Sequence, residues 1–405
     1  MKKYWKLMML SAFTIIVVCI FYIRAGTVTN SFPTFTFEKV EGNETAVENL
    51  VLNGDLFNGM FNHESFRVDN EGTTYLRDEP FNDRFKGYYQ DLYIERLQKE
   101  HRNFMRGKTE DPNYFYEDED ILAYGNTPYE LWTNDHYTFE IAVLDKQTND
   151  IVSFSLPIPN REDYWYVEPQ NIYVDGKELS FITLNEKMNN EIIENTSVYL
   201  YTIDIEKEQL VHEEELGSLD YSNTGEGYSD INILKDERSL IIVGNIITPV
   251  EYDENLGFYE EIATINTLIK YNLNTREVEE LSLPKDEELG IPVALNGNQL
   301  SFANAKKDEL TLSNYNVEKQ KVSGELEVDT FNLYMSITDI FQAKIKDDKF
   351  YFIPSSNDLE ELTTVLVIDI TTLTVDYVGK IEHTKPFSNN VMMEVYFNNS
   401  EFKNE

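Results

Sequence analysis

Residues 268–284, LIKYNLNTREVEELSLP, decide the fold of this chain. Apolar and polar residues alternate up to position 271, give way to the polar run NLNTR at 272–276, and then alternate again. Alternation with a period of two predicts a half-buried β-strand, so the stretch predicts two strands joined by a tight polar turn. Five further segments share this design: 91–107, 138–156, 197–216, 310–328 and 365–381.

A second kind of hairpin alternates with the first along the chain. Its turn has Asp, Asn or Gly at the centre, and Asp175-Gly176 and Asn296-Gly297 suit two-residue turns that require positive φ. It occupies 66–78, 114–125, 171–184, 231–245, 293–305 and 343–355, with turn centres 47 to 61 residues apart. Units of four strands at such a spacing are typical of a β-propeller, in which an inner and an outer hairpin form one blade. The second kind is then the inner hairpin, and the kind at 268–284 is the outer hairpin.

Two outer hairpins carry a family resemblance. VLVIDITTLTVDYVGKI at 365–381 and LYTIDIEKEQLV at 200–211 are similar to the outer strands of bacterial surface β-propellers, loosely of the Tyr-Val-Thr-Asn class. The resemblance extends over most of 60–385 and implies an all-β propeller of four-stranded blades, without a specific function. A large β-sandwich or several small β domains is the alternative, and the strict alternation of two hairpin types argues against it.

The two ends of the domain decide the expected blade number. Residues 32–54 predict one more outer hairpin, and residues 390–397 predict one more inner strand. Because an open sheet edge invites aggregation, we expect the two ends to pair in one composite blade, which gives seven blades. Six blades with the ends added as extra edge strands is the alternative. The propeller is expected at 35–398, followed by a polar tail at 399–405.

The N-terminus differs in composition from the rest. Residues 1–24 carry four basic and no acidic side chains, and the stretch 7–23 is uncharged. Lys2, Lys3 and Lys6 precede it, which predicts a signal-anchor: a single transmembrane helix in the cell membrane with the N-terminus in the cytoplasm. The alternative is a cleaved signal peptide. Residues 25–34 are then a tether, and the C-terminal domain is extracytoplasmic.

Charge and cysteine content exclude several classes of function. The chain has 34 Lys+Arg and 73 Asp+Glu, a net charge of −39, and such an acidic surface repels nucleic acid. Residues 223–230, NTGEGYSD, lack the lysine of a phosphate-binding loop, so we expect no nucleotide. Cys19 is the single cysteine and lies in the apolar stretch, so the exported domain has no disulfide and no thiolate.

Long connections on one face of the propeller are the candidate partner site, since binding residues concentrate on loops carried by a rigid scaffold. These connections are 77–91, 125–137, 159–171, 185–195, 219–230 and 247–261, and they combine aromatic side chains with carboxylates. That combination suits a cationic ligand or a basic segment of an envelope protein. The alternative is that the aromatics only fill loops and blade seams. The candidate residues are Trp132, Tyr164, Trp165, Tyr166, Tyr228, Tyr252 and Tyr259.

Signals of catalysis are weak in the sequence. The five histidines lack the His-Glu-x-x-His spacing of zinc proteases, and there is no Gly-x-Ser-x-Gly motif. We therefore expect no metal and no cofactor, and the leading hypothesis is a binding module without enzymatic activity. The alternative is a hydrolase or lyase that acts on a surface glycan or peptide through carboxylates of the loop face.

Overall fold

The computed structural model describes 18 stretches of the chain. They are residues 5, 9, 12–17, 32–58, 63–80, 84, 86–128, 138–189, 192–220, 228–235, 239–253, 258–281, 283, 289–306, 309–329, 343–353, 364–383 and 393–403. The described residues lie mostly in antiparallel β-sheets, as the sequence predicts. They form six sheets, five of four strands and one of five, an arrangement consistent with propeller-like folds.

Sheets I, II and III come from the first 220 residues, except for the strand at Met393–Phe402. Sheet I is β25 (Met393–Phe402), β2 (Leu50–Asn58), β3 (His63–Asp69) and β4 (Gly72–Tyr75). Sheet II is β5 (Phe115–Glu117), β6 (Ile121–Asn126), β7 (Thr138–Asp145) and β8 (Ile151–Pro157). Sheet III is β9 (Tyr166–Asp175), β10 (Glu178–Asn189), β11 (Ile192–Asp204) and β12 (Gln209–Asp220).

Sheets IV, V and VI follow the same strand order. Sheet IV is β13 (Tyr228–Lys235), β14 (Ser239–Asp253), β15 (Phe258–Asn272) and β16 (Val278–Glu280). Sheet V is β17 (Ile291–Asn296), β18 (Gln299–Lys306), β19 (Glu309–Asn316) and β20 (Lys321–Asp329). Sheet VI is β21 (Lys344–Lys346), β22 (Lys349–Phe352), β23 (Thr364–Asp369) and β24 (Thr374–His383), with β1 (Phe35–Gly42) as a fifth strand beside β24.

The recurring polar turn has one design in five outer hairpins. In the opening stretch, the side chain of Asn272 accepts hydrogen bonds from the backbone N–H of Asn274 and Thr275, both at 2.9 Å, and Arg276 has φ +59°. An Asx side chain that bonds the following N–H groups fixes such a turn locally. The equivalent pairs are Asp145 with Asn149, Asp204 with Glu208, Asn316 with Gln320, and Asp369 with Leu373.

The sixth segment predicted as an outer hairpin, residues 91–107, is helical, so that prediction was wrong. It forms α1 (Leu92–Glu100) and α2 (Arg102–Met105). Asp91 again accepts from two following N–H groups, but here it caps a helix, because strong helix formers follow it. Ile94 and Leu97, one helical turn apart, bury against sheet II. Hairpin 66–78 forms as β3 and β4, but at the outer end of sheet I.

The segment 32–54 is not a hairpin, because its two strands join different sheets. Strand β1 pairs with β24, with Phe37 opposite Ile381, whereas β2 pairs with β25, with Leu52 opposite Ser400. At Gly42, φ is +88° and an added Cβ would lie 2.1 Å from the carbonyl oxygen of Asp376, so only glycine fits. The predicted strand at 390–397 is confirmed as β25, which continues to Phe402.

Apolar clusters fill the seams between neighbouring sheets from II to VI, and also between VI and I. Phe139 of sheet II packs on Phe181 of sheet III, with ring centroids 4.7 Å apart, and both side chains are fully buried. The seams III–IV, IV–V, V–VI and VI–I are equally apolar. Among the described residues no apolar cluster joins sheets I and II, and α1 and α2 lie between them.

Two connections that the sequence predicts as loops are strand. Residues 185–195 lie largely in β10 and β11, and residues 247–261 largely in β14 and β15, which form a long two-stranded ribbon. At the N-terminus, residues 5, 9 and 12–17 are helical. Within the described part of the chain, no helix has the length and apolarity needed to cross a membrane.

Candidate functional site

Three of the seven predicted site residues lie together in the described structure: Tyr164, Trp165 and Tyr166. Trp132 lies outside the described residues. Tyr228 begins β13 opposite Ile247, and Tyr252 pairs with Tyr259 in the ribbon of β14 and β15. The prediction that Tyr228, Tyr252 and Tyr259 are loop residues was therefore wrong. Tyr166, predicted in a loop as well, is the first residue of β9. Residues 160–166, which are described without a gap, form a turn that carries three of the predicted aromatics.

A short turn holds these three aromatics in place. Asn160 has φ +49°, and a 3-10 turn at Arg161–Asp163 follows it. The Arg161 guanidinium donates to the carbonyl oxygens of Tyr164 and Trp165, the latter at 3.1 Å. The N–H of Trp165 donates to the carbonyl oxygen of Glu186 at 2.7 Å. These hydrogen bonds fix the backbone of the turn within itself and against β10. The positions of the three aromatic residues are therefore defined.

Tyr164 is an anchor of the turn rather than an exposed contact residue. Its side chain is 7% exposed and belongs to the apolar seam between sheets II and III. Its ring lies 5.8 Å from the ring of Tyr199 and 5.3 Å from the ammonium of Lys187. The Tyr199 hydroxyl donates to Glu215 at 3.0 Å. Burial, together with hydrogen bonds to Tyr164 and Glu215, raises the pKa of Tyr199 well above its usual range.

Trp165 presents the aromatic surface of the turn, with 51% of its side chain exposed. Glu162 and Asp163 precede it and are exposed as well. A large side chain in such a position supplies contact area at little conformational cost, because its backbone is already fixed. An exposed indole next to carboxylates attracts ammonium and guanidinium groups.

A row of carboxylates lies beside the turn. Glu186 pairs directly with Tyr166, and Glu168 follows Tyr166 by two positions, so all three side chains share one face of sheet III. Burial raises the pKa of Glu168, and the nearby Asp111 raises it further. Burial also raises the pKa of Glu186, with Glu168 as the second cause. Burial and like charge therefore both disfavour the ionised forms of these two carboxyl groups.

Sequence reasoning overlooked Glu168, Glu186 and Asp111 among many acidic residues. Glu168 stands between Val167 and Pro169 in the predicted connection 159–171, and nothing around it in the sequence distinguishes it from the other acids. In the structure Glu168 is half-buried, whereas its neighbours Val167 and Pro169 are buried on the opposite face of β9. Asp111 caps the 3-10 turn Pro112–Tyr114 by accepting from the N–H of Asn113 at 2.9 Å. That turn contacts β9, which brings Asp111 close to Glu168.

One other grouping resembles a catalytic arrangement in composition but not in geometry. Asp55 lies 2.8 Å from the Nε2 of His63, and the Ser65 hydroxyl donates to the same Asp55 oxygen at 2.6 Å. In a nucleophilic triad the serine donates to the imidazole, and the carboxylate bonds the far side of that ring. Here both groups bind the carboxylate, so the cluster has no activated nucleophile. In the part of the chain that is described, no group of His, Cys, Asp and Glu has the geometry of a metal site.

Comparisons with known proteins give similarities without a family. No family model matches the chain, and no curated protein matches it either. Among solved structures, dipeptidyl peptidase 4 of Porphyromonas gingivalis matches with 11% identity, a TM-score of 0.33, and coverage of 69% of this chain and 48% of that one. The acylaminoacyl peptidase of Pyrococcus horikoshii matches with 13% identity, a TM-score of 0.35, and coverage of 85% and 46%.

An uncharacterised protein of Listeria monocytogenes matches with 9% identity and a TM-score of 0.32, over 67% of each chain. This chain thus spans about half the length of each of the two peptidases. At these TM-scores the similarities identify neither a function nor a family.

Proposed function

We propose that this chain is a six-bladed β-propeller, anchored in the cell membrane by its N-terminus, that binds an envelope protein or a cationic ligand. The six sheets described above support six blades, because each is formed mainly by strands consecutive in sequence. Five of the six contacts between neighbouring sheets are apolar seams. Strand β25 completes sheet I with N-terminal strands, and β1 adds to sheet VI, so that the chain ends tie the ring together. The helical segment at 91–107 stands where a further outer hairpin would be needed for seven blades.

The observation that carries the binding function is the exposed indole of Trp165 on a fixed turn. Its neighbour Tyr164 is buried, and Arg161 holds both carbonyl oxygens of the pair. Aromatic side chains held on rigid backbone dominate the energetics of many interfaces. The acids beside it, together with a net charge of −39, favour a partner rich in lysine or arginine, or a polymer that carries amines.

The membrane part of the proposal rests on the sequence. The uncharged stretch 7–23 and the basic side chains of Lys2, Lys3 and Lys6 support a single span with the N-terminus in the cytoplasm. The rest of the chain carries 30 basic and 73 acidic side chains, a net charge of −43, and anionic lipids would repel it. A reporter enzyme that is active only in the cytoplasm, fused after Glu405, should be silent. An active reporter would contradict this topology.

Pull-down from solubilised membranes with the purified full chain tests the binding function. Changing Trp165→Ala should abolish recovery of the partner, because it removes the aromatic contact surface of the turn. The fold should be retained, because the indole is exposed and does not belong to the buried seam. Val278→Ala is the control, since Val278 is an exposed apolar side chain, 47%, on strand β16 and outside the predicted partner face. Equal recovery of the same partner by wild type and Trp165→Ala would remove Trp165 from the interface. A change of Tyr164 is unsuitable, because it would disturb the buried seam.

A hydrolase or lyase acting on a surface glycan or peptide is the second candidate, and Glu168 with Glu186 is the observation that favours it. Two neighbouring carboxyl groups whose pKa values are raised by burial can divide the roles of general acid and base. Turnover of wall fragments by the full chain, lost in both Glu168→Gln and Glu186→Gln, would establish the enzyme. Turnover retained in both variants would exclude this pair.

A further inference from the structure

The joint between sheets I and II differs in chemistry from the other seams. On one side, α1 and α2 bury Ile94, Leu97, Phe104 and Met105 against sheet II. On the other side, α1 meets sheet I through charged and polar groups. The helices between sheets I and II therefore pack on sheet II through apolar side chains. They contact sheet I through a polar cluster, whose interaction energy depends on which of its groups are ionised.

Arg67 of β3 is the centre of that cluster. Its guanidinium donates to Asn53 at 2.9 Å, to Glu95 of α1 at 3.0 Å and to the carbonyl oxygen of Gln90. It also stacks on Tyr89 at 4.3 Å. The Glu401 carboxylate of β25 lies 3.7 Å from the same guanidinium. One cation thus links two strands of sheet I to the entry of α1.

Glu401 is the buried acid of the cluster, with only 4% of its surface exposed. One of its oxygens accepts from the N–H of Leu92, the first residue of α1, at 3.1 Å, and the other accepts from the side chain of Asn53. A single carboxyl group therefore connects strand β25 to the start of the helix. Its loss would leave the first turn of α1 held to sheet I by Arg67 alone.

The ionisable groups around Glu401 are unbalanced. Asp91 at the start of α1 acts electrostatically on Glu401, and Glu95 within α1 contacts Arg67. Three carboxyl groups thus accompany one guanidinium in this cluster. Lys99 lies 3.6 Å from Glu95 but is largely exposed. Lys403, two positions after Glu401, lies 3.0 Å from Asp69 instead. When all three acids are ionised, the enclosed cluster keeps an excess of negative charge that the protein interior screens poorly.

We propose that this joint is a proton-controlled clasp, which holds α1 against β25 while one carboxyl group of the cluster carries a proton and loosens when all three are ionised. The pKa of Glu401 is raised to about 7, chiefly by burial and then by the charge of Asp91, against the opposing effect of Arg67. The clasp would thus change state near neutral pH. The joint is where the proposed ring can yield, because the other five seams contain no comparable buried charge cluster among the described residues.

Backbone hydrogen exchange on the full chain, corrected for intrinsic rates, tests the clasp between pH 5.5 and 8. Protection at Leu92–Glu100 and Val395–Phe402 should fall on the order of tenfold as the pH rises, whereas protection in β10 and β11 should stay constant. Glu401→Gln should remove this dependence, because the amide cannot ionise. An unchanged dependence in Glu401→Gln would overturn the proposal, as would constant protection in wild type.

Two further variants keep the test decisive if Glu401→Gln folds poorly. Asp91→Asn retains a helix cap but loses a charge that acts on Glu401, so the midpoint of the change should move to lower pH. Glu117→Gln is the control, because Glu117 is a half-buried acid bonded to Arg96 on the other side of α1. It should leave the midpoint unchanged. A midpoint that Asp91→Asn does not move would overturn the proposal.

Discussion

Neighbouring sheets are joined differently at the seam between sheets II and III and at the joint between sheets I and II. At seam II–III, Phe139 and Phe181 pack directly across two sheets, with no helix between them. At joint I–II, a helix fills the gap and Arg67 and Glu401 attach it to sheet I. Apolar packing is insensitive to pH, whereas a buried cluster of ionisable groups responds to it. The proposed ring would therefore combine seams that do not respond to pH with one joint that does.

The largest expected effect is at the apolar seam. Phe181→Ala removes a fully buried ring from contact with Phe139 and should lower the free energy of unfolding by about 3–5 kcal/mol. Urea denaturation followed by circular dichroism measures it, and the loss should be the same at pH 5.5 and pH 8. A loss that changes strongly with pH would mean that the two seams do not differ as described.

The second effect is the pH dependence of stability that comes from Glu401. Its pKa in the folded protein is raised, so its contribution is full below the unfolded value near 4.5 and is lost as the pH rises to about 7. The shift corresponds to a loss on the order of 3 kcal/mol. Glu168 and Glu186 have raised pKa values too and add a trend of the same sign.

Urea midpoints from pH 5 to pH 8 measure this trend in wild type and Glu401→Gln. The variant should keep only the smaller dependence that the other two acids supply. If wild type and Glu401→Gln lose stability in parallel over this range, Glu401 is not the titrating group.

The third effect separates the helix cap from the charge at the joint. Asp91→Ala removes the side chain that accepts from the N–H of Tyr93 and Ile94, and should cost about 1 kcal/mol. Asp91→Asn keeps an acceptor and should cost little at pH 8. Thermal unfolding measures both, and equal losses in the two variants would show that the charge matters more than the cap.

The smallest effect is at the rim of the apolar seam between sheets III and IV. Arg276 and Glu178 form an ion pair of 3.1 Å there, but both side chains are more than 40% exposed. Solvent screens such a pair, so Glu178→Gln should change the unfolding free energy by less than about 0.5 kcal/mol. A loss above 1 kcal/mol in urea denaturation would show that charge also supports the apolar seams.

The outer hairpins were predictable because their signal is local. An Asp or Asn at the start of the turn bonds the next N–H groups within three residues, and alternation on both sides sets the strands. The same local signal failed at Asp91, since an Asx side chain caps a helix as readily as it starts a turn. Only the spacing of Ile94 and Leu97, one helical turn apart, distinguishes the two outcomes.

The candidate site was predictable only in part. The sequence pointed to Tyr164, Trp165 and Tyr166, but not to the burial of Tyr164, which depends on Tyr199 from another strand. It also gave no means of choosing Glu168, Glu186 or Glu401 among 73 acidic residues. Burial by residues distant in sequence, such as Leu92 against Glu401, decides which acids matter, and alternation within one strand does not contain that information.

The pairing of β2 with β25 also affects the order in which the protein folds. Leu50 pairs with Phe402, so the edge of β2 that faces β25 stays open until nearly the whole sequence has been synthesised. Contacts of such long sequence separation form slowly, because closing the intervening loop costs entropy before any contact repays it. During that interval β2 is an unpaired strand edge, which other chains can join. During synthesis from the N-terminus this protein therefore stays exposed longest at the place where its two ends pair.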